Sequence, residues 1–355
     1  MPRVYIILVN WNGWRDTIEC LESLFRLDHP EFTVVVCDNG STDGSTEKIK
    51  AWANGELDAS AANPTLAFLT QPAVPKPIGF LEISAPERVM ANHPARLVVI
   101  HTGFNLGFAG GNNVGLRYAL SAGDFEFAWL LNSDTVVAPT ALSEMVERMQ
   151  ERPEAGLCGS TLVEYEKPDR IQALGGAGYN KWLARSSHIG RGISKDKIPD
   201  AGLVEPKLRY VIGASMLVSK SFLQDVGLMN ESYFLYFEEI DWAIRAKGRY
   251  YLCYAPKSVV YHKQGASAGT AFAHRRRSDI SDYFSSRGRM LFTMRNFPIA
   301  APVVACLLIG GILFRLAMGN FGGAKAVFSG LRLAETSTDR LARDLTFDRD
   351  ERRIG

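Results

Sequence analysis

The chain has 355 residues, 46% apolar and 22% charged, a composition that suits a globular protein with a large buried core. A formal net charge of +2 gives no reason to expect nucleic acid as a partner of the whole protein. Five cysteines (Cys20, Cys37, Cys158, Cys253 and Cys306), odd in number and never spaced as Cys-x-x-Cys, argue against a disulfide framework or a zinc site and favour a reducing compartment.

The apolar run from Val4 to Val9 is too short for a signal peptide and reads as a first strand covered on both faces. It stops at Asn10-Trp11-Asn12-Gly13, and Ile18, Leu21, Leu24 and Phe25 then fall at helical spacing. Phe32 to Cys37 is a second strand. It ends in the small polar loop Asp38 to Ser45, and a helix starts from about Thr46. Strand, helix, strand, polar loop and helix open a doubly wound nucleotide-binding sheet. Residues 54–96, rich in Ala and Pro, are an insertion with no readable role.

Leu97 to Ile100 resumes the sheet. The stretch Asn105 to Gly115 is expected to be a Gly/Asn loop opening a helix through Tyr118 to Ser121. Glycines let a backbone approach a phosphate, and a helix N-terminus supplies free N–H groups, although tight turns use the same residues. An apolar strand from Phe127 then ends in Asn132-Ser133-Asp134-Thr135. Ligands of open α/β sheets gather outside the carboxyl ends of strands, and two oxygen donors one residue apart can face one hard cation. The plain alternative is that Asp134 only ends the strand and caps a turn.

Leu142, Met145, Val146 and Met149 mark an amphipathic helix closed by Pro153. Gly175 to Gly178 and the basic, polar stretch to Gly192 suggest a mobile or substrate-facing loop. Val211 to Val218 is a strand interrupted by Gly213-Ala214-Ser215. Tyr233 to Trp242 sets three carboxylates, Glu238, Glu239 and Asp241, beside aromatic and aliphatic side chains. Low polarity raises a carboxylate's pKa and suits it to general-base work. The alternatives are a surface ion pair of Asp241 with Arg245, a helix-dipole role for Glu238 and a plain solvated Glu239. Tyr250 to Tyr254 and Ser258 to Tyr261 are expected strands, the second ending at His262, itself either a ligand or a hydrogen-bonded strand-end histidine.

The C-terminal third changes character. Arg275-Arg276-Arg277, Arg287, Arg289 and Arg295 precede an uncharged run from Ile299 to Phe314, with Arg315 and Lys325 after it. A spanning helix needs about 20 apolar residues, so the run is short for that. Basic flanks fit a segment lying in the face of an anionic bilayer, with a buried core helix and a true span as alternatives. The organisation expected is a domain over 1–270, a basic and apolar helical region over 271–335 and a charged tail over 336–355.

Four stretches, VVVCDNGSTDGS from Val34, NLGFAGGNN from Asn105, LLNSDT from Leu130 and YFEEIDWAIRAKG from Tyr236, occur in an order that resembles glycosyltransferase family 2 in its bacterial rhamnosyltransferase-like branch, over roughly Val4 to Arg295. The resemblance implies an α/β, Rossmann-like nucleotide-diphospho-sugar transferase (GT-A) fold, with a mostly parallel central sheet flanked by helices. It also implies inverting, single-residue transfer, because the Gln-x-x-Arg-Trp signature of processive synthases is absent. Asp38 matches the residue that holds the donor's base, and Val9 and Asn10 match the strand edge lining it. Asn105, Gly107, Gly111 and Asn112 match the loop beside ribose and diphosphate. Asn132 and Asp134 match the ends of the Asp-x-Asp metal motif for Mg²⁺ or Mn²⁺, with Ser133 between them on the donor side. His262 matches a histidine that completes the metal site in some relatives. Glu239 matches the catalytic base, with Glu238 and Asp241 beside it as further catalytic candidates.

Two departures stand out: Asn132 replaces an aspartate, and Glu239 replaces the usual Asp. The expected partners are a nucleotide-diphospho-sugar donor, a glycan or lipid-linked acceptor and a membrane surface, with the protein on the cytoplasmic face of the plasma membrane. Rhamnose as the sugar rests on the branch alone. Two competing readings are a sugar nucleotidyltransferase and a non-catalytic sugar-nucleotide-binding or membrane-associated module. The first lacks its Gly-rich basic loop here, since the first strand ends in Asn10-Trp11-Asn12-Gly13.

Overall fold

The computed structural model describes residues 1–84, 95–263 and 278–332. In chain order its elements begin β1 (Val4–Asn10), α1 (Trp14–Leu24), β2 (Phe32–Asp38), α2 (Ser45–Asn54), β3 (Phe80–Ile83), β4 (Leu97–His101), α3 (Gly107–Ala122), β5 (Phe127–Asn132), β6 (Thr135–Val137) and α4 (Ala141–Glu151). They continue with β7 (Ala155–Glu164), β8 (Lys167–Leu174), β9 (Gly176–Asn180), β10 (Arg185–His188), α5 (Ala201–Val204), β11 (Tyr210–Val211), β12 (Ser215–Ser219) and α6 (Lys220–Val226). The last are α7 (Glu238–Ala246), β13 (Tyr251–His262), α8 (Asp279–Asn296), α9 (Ala301–Ala317) and α10 (Phe321–Leu331).

The main sheet runs in the order β3-β4-β2-β1-β5-β12-β7-β13-β6, with β8 paired to β7. Its first half is parallel throughout. The period-2 alternation of its strands feeds two cores, one on each face. Val4, Ile6 and Leu8 of β1, Val34 and Val36 of β2, and Trp129 and Leu131 of β5 enter one. Tyr5 and Ile7, Val35 and Cys37, and Ala128 and Leu130 enter the other. Burial on both faces explains why these strands read as unbroken apolar runs.

Several expectations are corrected. The stretch from Gly107 is helical, because Gly111 and Gly115 let α3 lie directly on β1: a Cβ there would meet Val9 and Ile7 side chains at 2.8 and 2.6 Å. The insertion carries a short 3₁₀ helix (Pro64–Leu69) and the edge strand β3. Residues 175–192 are no open loop: β9 and β10 form a hairpin that, with β11, makes a second, three-stranded sheet. The interrupted strand near Val211 is two strands in different sheets, β11 pairing β9 and β12 pairing β5 and β7. Tyr250 to Tyr261 is one strand, β13, whose register against β7 shifts between Ala255 and Val259, where Pro256 has no N–H to give the ladder.

The C-terminal helices pack onto this body. Phe292 of α8 enters the larger core, and Phe284 stacks on Phe234 with centroids 4.4 Å apart. In the helical stretch Pro298–Ala317 only 17% of the most apolar 18-residue window is buried, which argues against the core-helix alternative. The expected boundary near residue 270, Arg275 to Arg277 and the tail over 336–355 lie outside the described residues.

Candidate active site

Parallel pairing in register brings the ends of three strands to one edge: Asn10 lies beside Asp38, and Val9 beside Asn132. At this carboxyl edge Asn10 Nδ2 donates to Asp38 Oδ1 at 2.8 Å and to Ser41 Oγ at 3.0 Å, and Thr17 Oγ1 donates to Asn10 Oδ1 at 2.8 Å. The Ser41 N–H donates to Asp38 Oδ2 at 3.2 Å. Asp38 is thus a buried carboxylate, 4% exposed, with both oxygens oriented by neighbours.

Asn39, which the sequence reading passed over, ties β2 to the next segment. Its Nδ2 donates to Asn105 Oδ1 at 3.0 Å and to the Gly107 carbonyl at 3.1 Å, and its Oδ1 accepts from Leu106 N–H at 3.0 Å. Asn105 also accepts from Gly107 N–H at 2.9 Å. Gly107 adopts a left-handed φ of 72° where its Cβ would strike the Phe234 carbonyl, so glycine is required there by packing alone. Asn112 is buried and donates to the Phe108 carbonyl within α3. Gly111 and Asn112 therefore belong to helix packing, not to an open loop.

Beyond β5, Asp134, Asn132 and His262 converge. His262 Nε2 lies 3.2 Å from Asp134 Oδ1 and 3.2 Å from Asn132 Nδ2, while Nδ1 meets Gln172 Oε1 at 3.0 Å. Gln172 is a second residue missed in the sequence, carried in by β8. Its Oε1 lies within hydrogen-bond reach of Nδ1 and so turns Nε2 toward Asn132 and Asp134. Asp134 and Ser133 are buried, and Asn132 is partly exposed. Burial pushes the Asp134 carboxyl up, but the charge and hydrogen bond of His262 and the charge of Lys263 outweigh it and hold the group below the usual Asp value.

A buried ionised carboxylate, an imidazole nitrogen and an amide form a donor set that fits a hard divalent ion. Among the described residues no three His, Cys, Asp or Glu side chains group to hold a metal, so Asn132 is needed to complete the set. Lys263 anchors the strand end beside it, with Nζ 2.5 Å from both Asp16 Oδ1 and Glu19 Oε2.

The three carboxylates of α7 separate by environment. Tyr233, Phe234, Leu235, Tyr236 and Phe237 lead into the helix, and Phe234, Tyr236 and Phe237 have φ of 55°, 69° and 74°. Left-handed backbone at three bulky residues is strained and needs outside bracing. Part of that bracing comes from α8, where Arg287 donates to the Ser232 carbonyl and Gly288 leaves room for Phe237. Glu239 Oε1 accepts from the Gly213 N–H at 3.1 Å, which turns the carboxylate toward the segment leading into β12. Burial pushes its pKa up, against the Gly213 hydrogen bond.

Glu238 is buried, and its pKa is driven well up by burial and by the charge of Glu239; no hydrogen-bond partner reaches its Oε2 among the described residues. Asp241 is held by Tyr233 Oη at 3.1 Å and Arg245 Nε at 2.9 Å, and Arg245 also donates to the Val226 and Leu228 carbonyls. The ion pair expected at the surface is thus largely buried, with Asp241 5% exposed.

Gly213 and Ala214 join the two halves. The Ala214 carbonyl accepts from the Asn132 N–H at 3.1 Å while the Gly213 N–H holds Glu239. A parallel half-sheet with a fixed carboxylate at β2, a cation-competent cluster after β5 and a strained acidic helix start defines the GT-A class of α/β fold. The model of Glycosyl transferase family 2 matches residues 5–61 and 86–226, more than half of the chain, and the chain belongs to that family.

The low-salt glycan biosynthesis hexosyltransferase Agl10 of Haloferax volcanii is 30% identical over 151 residues, 42% of this chain and 45% of that protein. The match thus spans less than half the length of this relative. Among solved structures, GalNAc-T7 with UDP, GalNAc and Mn²⁺ shares 12% identity at a TM-score of 0.50, covering 74% of this chain and 44% of that one. The mannosyltransferase PcManGT of Pyrobaculum calidifontis, in complex with GDP-Man and Mn²⁺, shares 16% identity at a TM-score of 0.48, covering 98% and 83%.

Proposed function

We propose that the protein is an inverting glycosyltransferase. It moves a sugar from a nucleotide-diphosphate donor to a hydroxyl of a lipid-linked or cell-surface glycan acceptor at the cytoplasmic face of the plasma membrane. The observation that carries this reading is the convergence of Asp134, Asn132 and a His262 ring oriented by Gln172 just beyond the edge that holds Asp38. In this reading Asp38 and Asn10 hold the base, and Val9, Asn105 and Ser133 border the donor.

Asp134, His262 and Asn132 would hold Mg²⁺ or Mn²⁺, which supplies charge neutralisation for the leaving diphosphate. Glu239, partly exposed and with its pKa raised, takes the proton of the acceptor hydroxyl. The acceptor oxygen forms its bond to the anomeric carbon from the face opposite the diphosphate. The carbon–oxygen bond to the diphosphate breaks, and the nucleoside diphosphate leaves with the electron pair. Firm placement of the donor supplies much of the rate. The exposed apolar stretch Pro298–Ala317, with Arg295 before it and Lys325 after, suits attachment to an anionic bilayer.

The test is release of nucleoside diphosphate from a panel of nucleotide sugars, dTDP-rhamnose included, with Mn²⁺ and a membrane extract as the acceptor source. Release from one donor, abolished by Glu239→Gln, is expected. No release from any donor across the panel would count against the reading.

A further inference from the structure

The hairpin between β9 and β10 turns at Asn180-Lys181-Trp182-Leu183-Ala184, and its side chains divide sharply by exposure. Ala184 is 1% exposed and packs with Val304 and Leu308 of α9 and Val327 of α10. Trp182 and Leu183, its immediate neighbours, are 46% and 41% exposed. The presentation is built in: Asn180 Oδ1 accepts from the backbone N–H groups of Trp182 and Leu183 at 3.0 and 3.1 Å, and Ala184 turns the chain at φ 44°. Two bulky apolar side chains are thereby held out at the site where the hairpin meets the exposed apolar helix.

We infer that this hairpin tip is a second membrane anchor, inserting Trp182 and Leu183 into an anionic bilayer alongside α9. The inference rests on the membrane attachment proposed above. Lipid is the occupant because of the chemistry around the patch. Val303, Leu307, Ile309, Leu313 and Phe314 expose a long apolar face on α9 that carries no charge before Arg315. Exposed Lys181 and Arg185 flank the tip, and Lys325 and Arg332 lie on and after α10. No acid occurs between Asp169 and Asp196, the stretch that includes the hairpin, and the two acids of the C-terminal helices, Asp279 and Asp282, sit at the start of α8, the second paired with Arg315 at 2.7 Å. Trp at an apolar–basic border is suited to the headgroup level, where its ring is buried and its N–H stays wet.

The tip also reaches the chemistry. Strand β9 continues from it to Ala177, which pairs with Tyr210 of β11. Tyr210 lies beside Glu239, whose charge adds to burial in driving the phenol's pKa up. Ala177 to Asn180 are three steps of strand, about 10 Å, and the turn carries the chain on to Trp182. The three-stranded sheet thus links the anchoring hairpin, through β11, to the helix that carries Glu239, which suits an acceptor carried on a lipid.

The test uses the full chain with Cys306→Ser to remove the exposed thiol. Trp182→Cys in that background carries an environment-sensitive fluorophore, and vesicles are phosphatidylglycerol–phosphatidylcholine or phosphatidylcholine alone. With anionic vesicles the label is expected to shift to the blue. A Trp182→Ala, Leu183→Ala double variant is expected to bind vesicles five- to tenfold more weakly, with nucleotide binding unchanged. Vesicle binding with an unshifted label and an unaffected double variant would overturn the anchor while leaving attachment through α9 intact. No vesicle binding at all would overturn both, with donor binding still testable separately. A shift that appears with rising protein concentration and no lipid would instead assign the patch to a second copy of the chain.

Discussion

The Gly213 backbone N–H donates to Glu239 Oε1 at 3.1 Å, and this bond ties the Glu239 side chain to the segment that leads into β12. A Cβ at position 213 would lie 2.8 Å from that oxygen and 2.8 Å from the ring of Phe108. Gly213→Ala is expected to displace the carboxylate and lower kcat by tenfold or more, with nucleotide binding little changed. Steady-state kinetics separates the two, because a merely destabilised protein would lose active fraction without a shift in the pH profile of kcat.

Glu239 acts when ionised, and its pKa is raised by burial. The acid limb of kcat should therefore lie above the ordinary glutamate value of about 4.3. Activity is full above the raised pKa and is lost as pH falls through it. Glu239→Gln is expected to retain donor binding and lose transfer by about 10²–10⁴-fold. A variant that kept most of its rate would move the base to Glu238 or Asp241.

Gln172 acts on the cation site only through His262, by fixing which ring nitrogen faces Asp134. Gln172→Ala is expected to weaken Mn²⁺ binding by about tenfold, the low end for loss of such a supporting bond. Titration of Mn²⁺ by electron paramagnetic resonance reads this directly, and the thermal midpoint should move little.

Asp241, by contrast, is expected to serve structure, because Tyr233 and Arg245 hold its two oxygens. Asp241→Asn leaves Arg245 without its anion and is expected to cost about 2 kcal/mol, less than a fully buried pair because Arg245 is 32% exposed. Chemical denaturation measures the loss. The kcat per folded molecule should stay within about twofold, unlike Glu239→Gln.

The half of the molecule that binds nucleotide in this reading was legible because its strands are buried on both faces and end in polar residues. Val4 to Val9, Phe32 to Cys37 and Phe127 to Leu131 announce both facts at once, and parallel register then aligns Asn10, Asp38 and Asn132. The Gly/Asn stretch misled because its residues are poor helix formers, and only contact with β1 explains why glycine suits a helix there. The second sheet was illegible for a related reason: β9 and β10 hold small and polar residues with no apolar alternation. Gln172 and Gly213 had no local signal, since each acts through a partner far along the chain, 90 and 26 residues away.

In the proposed reaction Asp134 anchors a cation through which the nucleoside diphosphate binds. Calorimetric titration of UDP, GDP and dTDP, each with and without Mn²⁺, into the unaltered protein and Asp134→Ala tests it most directly. The expected result is binding of one nucleotide that needs Mn²⁺ and falls at least a hundredfold in Asp134→Ala. Equal binding with and without Mn²⁺, unchanged in Asp134→Ala, would contradict it.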